Sequence, residues 1–341
     1  MHSRAAPDRR TGHVVVAGVV NVQQTVPVDG FPLAYAPVRY TTGQLRLAAS
    51  GVGLNVARTL GTLGTPVSLA AFVGDDPAGT VIRAELRRLG LLGEDGDEHG
   101  SGLGAGVLPT ANSAMSAVLV DPWGNRQVHT DLADLATARY PLPVFRDLLA
   151  GARLAVLTTV GFVRDLIPVA QAAGVPIAVD LQTIEDADDA YSRPWLAAAT
   201  IVFCSAERFA ASPADTAAAL LSRYPARIVL VGMGGDGCLL AIRDHPPRHL
   251  PAQAPHGVLD TTGAGDALCA GFLHYWLATG DPDAAARRAV VVAGCAVGSA
   301  GTDIHVTAGH VDDLLRAPGG RPSGAGGDRR APADTRRSGP L

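Results

Sequence analysis

Short runs of β-branched and aliphatic residues alternate along this chain with stretches whose apolar positions recur at helical spacing. The runs at 13–20, 67–73, 154–160, 177–181, 200–203 and 227–231 predict strands, and 55–63, 80–89, 165–173 and 214–224 predict helices. Such alternation implies parallel βαβ units with helices on both faces of a sheet, whose ligands collect at the carboxyl ends of the strands. Residues 22–47 and 107–130 break the pattern. They lack helical periodicity, and the second carries the turn Asp121-Pro122-Trp123-Gly124-Asn125. Both read as antiparallel strands that pair into a small β-sheet lid at about 22–48 and 107–131; two unrelated surface hairpins are the competing reading. The fold class expected is therefore a three-layer α/β/α sandwich with a mostly parallel central sheet and a small β-sheet lid.

Composition bounds what this fold does. The ends, residues 1–11 and 317–341, are rich in Pro, Gly, Arg and Ser and are expected to be disordered tails around one domain at 12–316. No apolar h-region of a signal peptide follows Met1, and no apolar run reads as a transmembrane span. The formal net charge is −4 with no basic face, so neither nucleic acid nor membrane is an expected partner. Cys204, Cys238, Cys269 and Cys295 are widely separated in apolar stretches, which reads as buried free thiols in a reducing cytoplasm. Most useful is an absence. All 28 basic residues are arginine, which removes Schiff-base chemistry, the P-loop lysine, the protein-kinase strand lysine and Ser-x-x-Lys hydrolases. Whatever handles phosphate here uses backbone amides, arginine or metal.

The strongest chemical signal is Asp260-Thr261-Thr262-Gly263-Ala264-Gly265-Asp266, followed by an apolar helix-like run. Small residues at 263–265 leave successive amides uncovered where a helix begins, which makes an anion site. The bland reading is that Asp266, Asp260 or Thr262 caps the helix. Against it, Gly-Ala-Gly forfeits packing and two aspartates exceed what a cap needs. Phosphoryl transfer needs this combination, amides to stabilise charge and a base beside the attacking hydroxyl.

This segment resembles the C-terminal signature of the PfkB/ribokinase family of carbohydrate kinases, Asp-Thr-x-Gly-Ala-Gly-Asp. The resemblance implies Asp266 as catalytic base and the amides of Gly263, Ala264 and Gly265 as anion hole, with ATP and Mg2+ as cofactors and a small-molecule sugar or nucleoside as substrate. It extends along most of the chain. Ser50-Gly51-Val52-Gly53-Leu54-Asn55-Val56-Ala57 is similar to the family's Gly-Gly-x-x-x-Asn-x-Ala segment, implying substrate contacts at Gly51, Gly53 and Asn55. Residues 73–79 resemble Val-Gly-x-Asp-x-x-Gly. Gly232-Met233-Gly234-Gly235-Asp236-Gly237 formally matches a dinucleotide fingerprint, but a strand-like run, 238–242, follows where a helix is required. It resembles instead the family's strand–turn–strand beside the ATP phosphates, which implies cofactor contacts from Gly232, Gly234, Gly237 and Thr262. Glu207 stands where the family holds magnesium through water. Asp260 with the carbonyls of Ala296 and Gly301 resembles a monovalent-cation (K+) site of some members, a glycine-rich helix end being the alternative.

Four positions depart from the family pattern. Gln23 replaces a sugar-binding aspartate two residues after Asn21, Val52 replaces a polar or basic residue, Cys204 an asparagine, and Gly232 a threonine. A carboxamide both donates and accepts where a carboxylate only accepts, so the expected substrate is not free ribose and presents a carbonyl, amide or base edge near Gln23. A sugar or nucleotide sensor on the same scaffold and an NAD-dependent oxidoreductase are the rival functions. Bare strand edges in the lid lead to the expectation of a homodimer through it.

Overall fold

The computed structural model describes residues 12–93, 105–299 and 306–316. The tails expected at 1–11 and 317–341, and Gly301, lie outside them. Strand β1 (His13–Ala17) starts the central sheet, and β2 (Asn21–Pro27) and β3 (Arg46–Ser50) leave it. Helix α1 (Val52–Thr62), β4 (Val67–Gly74), α2 (Pro77–Arg88) and β5 (Val107–Thr110) return to it, and β6 (Ala114–Val120) and β7 (Arg126–Asp131) leave it again. The alternation then resumes with α3 (Leu142–Leu148), β8 (Ala152–Thr158), α4 (Gly161–Arg164), α5 (Ile167–Ala172), β9 (Ile177–Thr183), α6 (Arg193–Leu196), β10 (Ile201–Ser205), α7 (Pro213–Arg223) and β11 (Ile228–Gly232). Antiparallel β12 (Cys238–Ile242) and β13 (Arg248–Leu250) precede α8 (Ala264–Thr279), α9 (Pro282–Val297) and α10 (Ala308–Arg316).

Nine strands in the order β13-β12-β11-β10-β9-β8-β1-β4-β5 form the central sheet, and β3-β2-β6-β7 form a separate four-stranded sheet. Strands buried on both faces read as near-unbroken apolar runs, as Val14–Ala17 and Leu69–Val73 do. One core lies between the sheet and α1, α2, α8 and α9, with Leu54, Leu60, Phe203 and Phe272 among its residues. The other lies under α3 to α7 and is built around Phe145, Phe162 and Trp195. This is the three-layer sandwich expected.

Three boundaries differ from the sequence reading. The run at 13–20 is not one strand: β1 stops at Ala17, and Gly18-Val19-Val20 carries the chain across to the small sheet. Residues 107–110 belong to the central sheet, where they pair in parallel with Ala71–Gly74. Alternating polarity cannot separate a sheet edge from a lid strand. The helix expected at 165–173 is α5, which starts two residues later with proline in its first turn, where a fixed φ and a missing N–H are tolerated, and a separate short α4 precedes it.

The links between the two sheets are staked by carboxylates. Asp76 caps α2 through Gly79 N–H at 2.6 Å and also receives the N–H and hydroxyl of Ser113 at 2.7 and 2.8 Å. Burial opposes its ionisation, but the hydrogen bonds from Ser113 and Gly79 and the nearby Arg83 charge hold it below the usual carboxylate range. Asp134 likewise gathers Thr110 Oγ1 at 2.7 Å and the amides of Ala111 and Asn112 at 3.0 and 2.8 Å.

Candidate active site

Helix α8 begins at Gly263, whose φ of 76° is left-handed, and no side chain caps its first turn. The capping reading of the aspartates therefore fails. Asp260 is turned back onto Thr262 N–H at 2.9 Å, and Asp266 receives the carboxamide N–H of Asn55 at 2.7 Å. A Cβ built on Gly265 would meet nothing within 4 Å. The Gly265 side of the helix start is therefore open, whereas the Ala264 amide leans on the Thr261 carbonyl at 3.3 Å; an uncapped helix start of this kind can receive an anion. The hydroxyl of Thr262 is buried without a partner, a polar atom left for a ligand to satisfy.

Asp266 keeps part of its surface open while protein atoms crowd its carboxyl. Burial, and then the charge of Asp180, raise its pKa to about 7, against the pull of Asn55, Arg126 and Arg58. Asp180, in the middle of β9, is raised as well, by burial, although Gln182 N–H donates to it at 2.8 Å. The Asp180 charge thus makes a second carboxylate in this region harder to ionise.

The small sheet turns one face toward this aspartate. Register places Asn21 beside Ser50, Gln23 beside Ala48 and Ser116, and Thr25 beside Arg46, so these side chains share a face. Asn21 donates to Ser116 Oγ at 2.7 Å and leaves its buried Oδ1 without a partner. Ser50 donates to Gln23 Oε1 at 3.0 Å, and Gln23 Nε2 points to Thr25 Oγ1 at 3.2 Å. From β3 and β7, Arg46 approaches Asp260 at 3.5 Å and Arg126 donates to the Thr261 carbonyl at 2.9 Å.

The glycines expected to admit substrate have a structural duty. Gly51 holds a φ of 105°, and a Cβ there would meet Val19 O at 2.5 Å; on Gly53 it would meet Gly18 at 2.7 Å. This close packing brings the start of α1, and Asn55 with it, against the end of β1.

Gly232, Gly234 and Gly237 lie on the β11–β12 turn, with the strand β12 following as anticipated, so the dinucleotide reading fails on its own context. Gly234 and Gly235 are open, and a Cβ on Gly232 would come within 3.8 Å of Leu268 on α8. The turn therefore sits by the same helix as Asp266. Glu207 is exposed just past β10, its N–H bonded to Ser205 Oγ at 3.3 Å. Cys204 is buried, and burial followed by the Asp180 charge pushes its thiol up, so it stays protonated. Among the described residues no group of three His, Cys, Asp or Glu could hold a metal; a magnesium ion there would depend on phosphate oxygens for most of its shell. The monovalent-cation expectation gathers less. The Ala296 carbonyl already accepts the amides of Gly298 and Ser299, and Asp260 faces Arg46.

Sequence reasoning missed Arg58, Asp180, Arg46 and Arg126. Arg58 follows Asn55 by three positions, one turn along the same helix face. Asp180 is a lone carboxylate ending an apolar strand run.

A nine-stranded sheet of this order with a four-stranded sheet beside it is the ribokinase fold. A solved microbiome-derived acarbose kinase superposes with a TM-score of 0.75 at 24% identity, covering 89% of this chain and 99% of its own. Ribokinase from Arabidopsis thaliana gives 0.69 at 19% identity, covering 89% and 99%. The model of the pfkB family of carbohydrate kinases matches residues 11–92 and 110–308, and the chain belongs to that family. It is an ATP-dependent kinase of the sugar and nucleoside class.

Among curated relatives, the bifunctional protein HldE of Caulobacter vibrioides is 31% identical over 84% of this chain, which spans 60% of that protein. The acarbose 7(IV)-phosphotransferase of Actinoplanes sp. is 30% identical over 82% of this chain and 90% of its own length. The ATP-dependent ribose-1-phosphate kinase of Halopiger xanaduensis is 29% identical over 89% and 97%. No helix among the described residues is long and apolar enough to cross a membrane.

Proposed function

We propose that this chain transfers the γ-phosphoryl group of ATP to a hydroxyl of a sugar or sugar-like small molecule, with Asp266 as general base. The observation that carries this reading is the placement of Asp266. Its carboxyl is raised to about 7, held by Asn55, and set in the uncapped first turn of α8. A base poised near the operating pH takes the hydroxyl proton as the new O–P bond forms. The old P–O bond breaks to release ADP, and the amides of Gly263, Ala264 and Gly265 meet the charge on the group in transit. Gly232, Gly234, Gly237 and the partnerless Thr262 hydroxyl would line the nucleotide phosphates. Mg2+, held by the phosphates and through water by Glu207, would supply charge neutralisation.

Substrate lies on the face of Asn21 and Gln23. Asn21 Oδ1 offers an acceptor to a hydroxyl, and Gln23, its oxygen already engaged by Ser50, offers its N–H2. An acceptor on the substrate is therefore expected at Gln23. ADP release measured with ribose, ribose 1-phosphate, acarbose and inosine should show ribose as a poor substrate, with turnover of another member at least about tenfold higher. Ribose as the best substrate would remove the role given to Gln23, and no ADP release from a broad sugar and nucleoside panel would favour a sensor.

The reading includes a homodimer through the small sheet in the cytoplasm. Leu47, Met115 and Val128 on its strands are about half exposed, at 59%, 49% and 53%, and β3 and β7 are its unpaired edges. Sedimentation equilibrium should give twice the chain mass, falling to one when Leu47 and Met115 are replaced by Glu; a monomer from the unaltered chain would reject the dimer.

A further inference from the structure

Asn55 is held from behind. Arg58, one turn further along α1, is 3% exposed. Its Nη1 donates to Asn55 Oδ1 at 3.0 Å, and its Nη2 donates to the Ala49 carbonyl at 2.9 Å. Its Nε and Nη2 reach Glu85 Oε1 on α2 at 3.3 and 3.2 Å. Glu85 is half-buried and also takes two bonds from Arg88 at 2.7 Å. Burial works against its charge, but Arg88 and Arg58 keep its carboxyl below the usual range.

The chemistry of these groups gives the chain a direction. A carboxamide can turn over and exchange its oxygen for its nitrogen, and either end would pack equally well. A guanidinium only donates. With Arg58 fixed beside it, Asn55 must turn its oxygen to Arg58, which leaves its N–H2 facing Asp266 at 2.7 Å and Ser50 Oγ at 3.5 Å. Ser50 then spends its proton on Gln23 Oε1 at 3.0 Å, which leaves the Gln23 N–H2 outward. One buried guanidinium thus sets which atoms the base and the substrate floor present.

We propose that Arg58, braced by Glu85, is a positioning residue for phosphoryl transfer: it fixes the orientation of Asn55 and through it the carboxylate of Asp266 and the donor end of Gln23. This rests on the reading of Asp266 as the base. Nothing in the family signature or in the sequence periodicity assigns Arg58 such a role, since an arginine on a helix is by default a solvated side chain.

The test separates position from charge. Arg58→Lys keeps one positive charge but cannot bond Ala49, Asn55 and Glu85 in one plane. Asp266 can be followed without substrate by 13C NMR of protein labelled at aspartate carboxyls, its resonance identified by its loss in Asp266→Asn. The groups facing it are Asp180 from β9, Arg126 from β7, Arg58 from α1 and Cys269 from its own helix. Losing the Asn55 bond removes an interaction that favours the carboxylate, so Arg58→Lys should move the Asp266 titration upward by roughly half to one pH unit. In parallel, kcat should fall about tenfold with KM changed less than about twofold.

In an Asn55→Ala background the further effect of Arg58→Lys should vanish, because the shared partner is gone. Glu85→Gln, which leaves the other bonds of Arg58 in place, should give a smaller shift of the same sign and stands in if Arg58→Lys does not fold. An unmoved titration with full kcat in Arg58→Lys or Glu85→Gln would overturn the proposal, as would an equal effect with and without Asn55, which would mark Arg58 as only structural. Should Asp266→Asn keep its turnover, the assignment of the base would fall while the titration still judged the link from Arg58 to Asp266.

Discussion

Asp266→Asn is expected to lower kcat by about 10²–10⁴ while leaving nucleotide and substrate binding in place. The carboxamide nearly matches the carboxylate in shape but cannot take the hydroxyl proton. In the unaltered enzyme the carboxyl is raised to about 7 by burial and then by Asp180. The log of kcat/KM should therefore fall with decreasing pH below about 7 as the base becomes protonated, and this acid limb should be missing from the residual activity of the variant.

The same shift bears on stability. A carboxyl whose folded pKa lies above its unfolded value favours the fold when protonated, and that contribution is lost as pH rises from about 4 through about 7. The asparagine variant should therefore melt at a higher temperature than the parent at pH 8 and at the same temperature near pH 4. Near-full kcat in the variant would remove Asp266 from the mechanism. Melting curves that differ equally at both pH values would show that the difference comes from packing rather than ionisation. This trade of stability for a reactive charge is the pattern expected where a site, rather than the core, dictates the residue.

Among the described glycines, Gly79→Ala should be one of the two most damaging added methyls, with Gly294→Ala. A Cβ on Gly79 would stand 1.8 Å from the carbonyl oxygen of Gly74, backbone against backbone, so neither side can turn away. Overpacking of this kind costs about 1–3 kcal/mol, which in a domain of this size lowers Tm by roughly 2–5 °C. The consequence reaches the site. Gly79 N–H is held by Asp76, which also anchors Ser113 at the entry to β6, and α2 carries Glu85 behind Arg58. The variant should lose kcat as well as stability. Gly61→Ala, at a helical glycine with nothing within 4 Å of the added Cβ, serves as the control and should be neutral or slightly stabilising. A Tm in Gly79→Ala within about 1 °C of the parent would show that the α2 turn yields more easily than its packing implies.

The central sheet was legible because its strands are buried on both faces and punctuated by amphipathic helices; β4 and β11 differ from their sequence-read ranges by a residue or so. The uncapped helix start was legible too, since small residues before an apolar helix leave a signature no packing argument requires. What escaped was whatever depends on partners distant in sequence. Residues 107–110 alternate just as a lid strand would, and only their pairing with β4 assigns them to the main sheet. Asn55 looked like a substrate ligand or a cap, and its contact with Asp266, 211 positions away, is invisible to any window. Arg58 and Asp180 were unreadable for a related reason. A buried charge is explained by the group opposite it, and neither Glu85 nor Asp266 is its neighbour along the chain.

The small sheet is attached unevenly. Along one margin α2 packs under β2 and β3, where Val22 and Ala49 are buried in the main core, whereas every residue of β7 on the opposite margin is exposed. It is therefore a flap hung from one side. Among its fastenings to the Asp260–Thr262 segment are guanidinium contacts, from Arg46 to Asp260 and from Arg126 to the Thr261 carbonyl. Such fastenings exchange readily with water and phosphate, so the flap can swing from its β7 margin without unzipping a strand. Such a swing would uncover the segment that leads to Asp266, since Arg126 both holds the Thr261 carbonyl and bears on Asp266 by its charge.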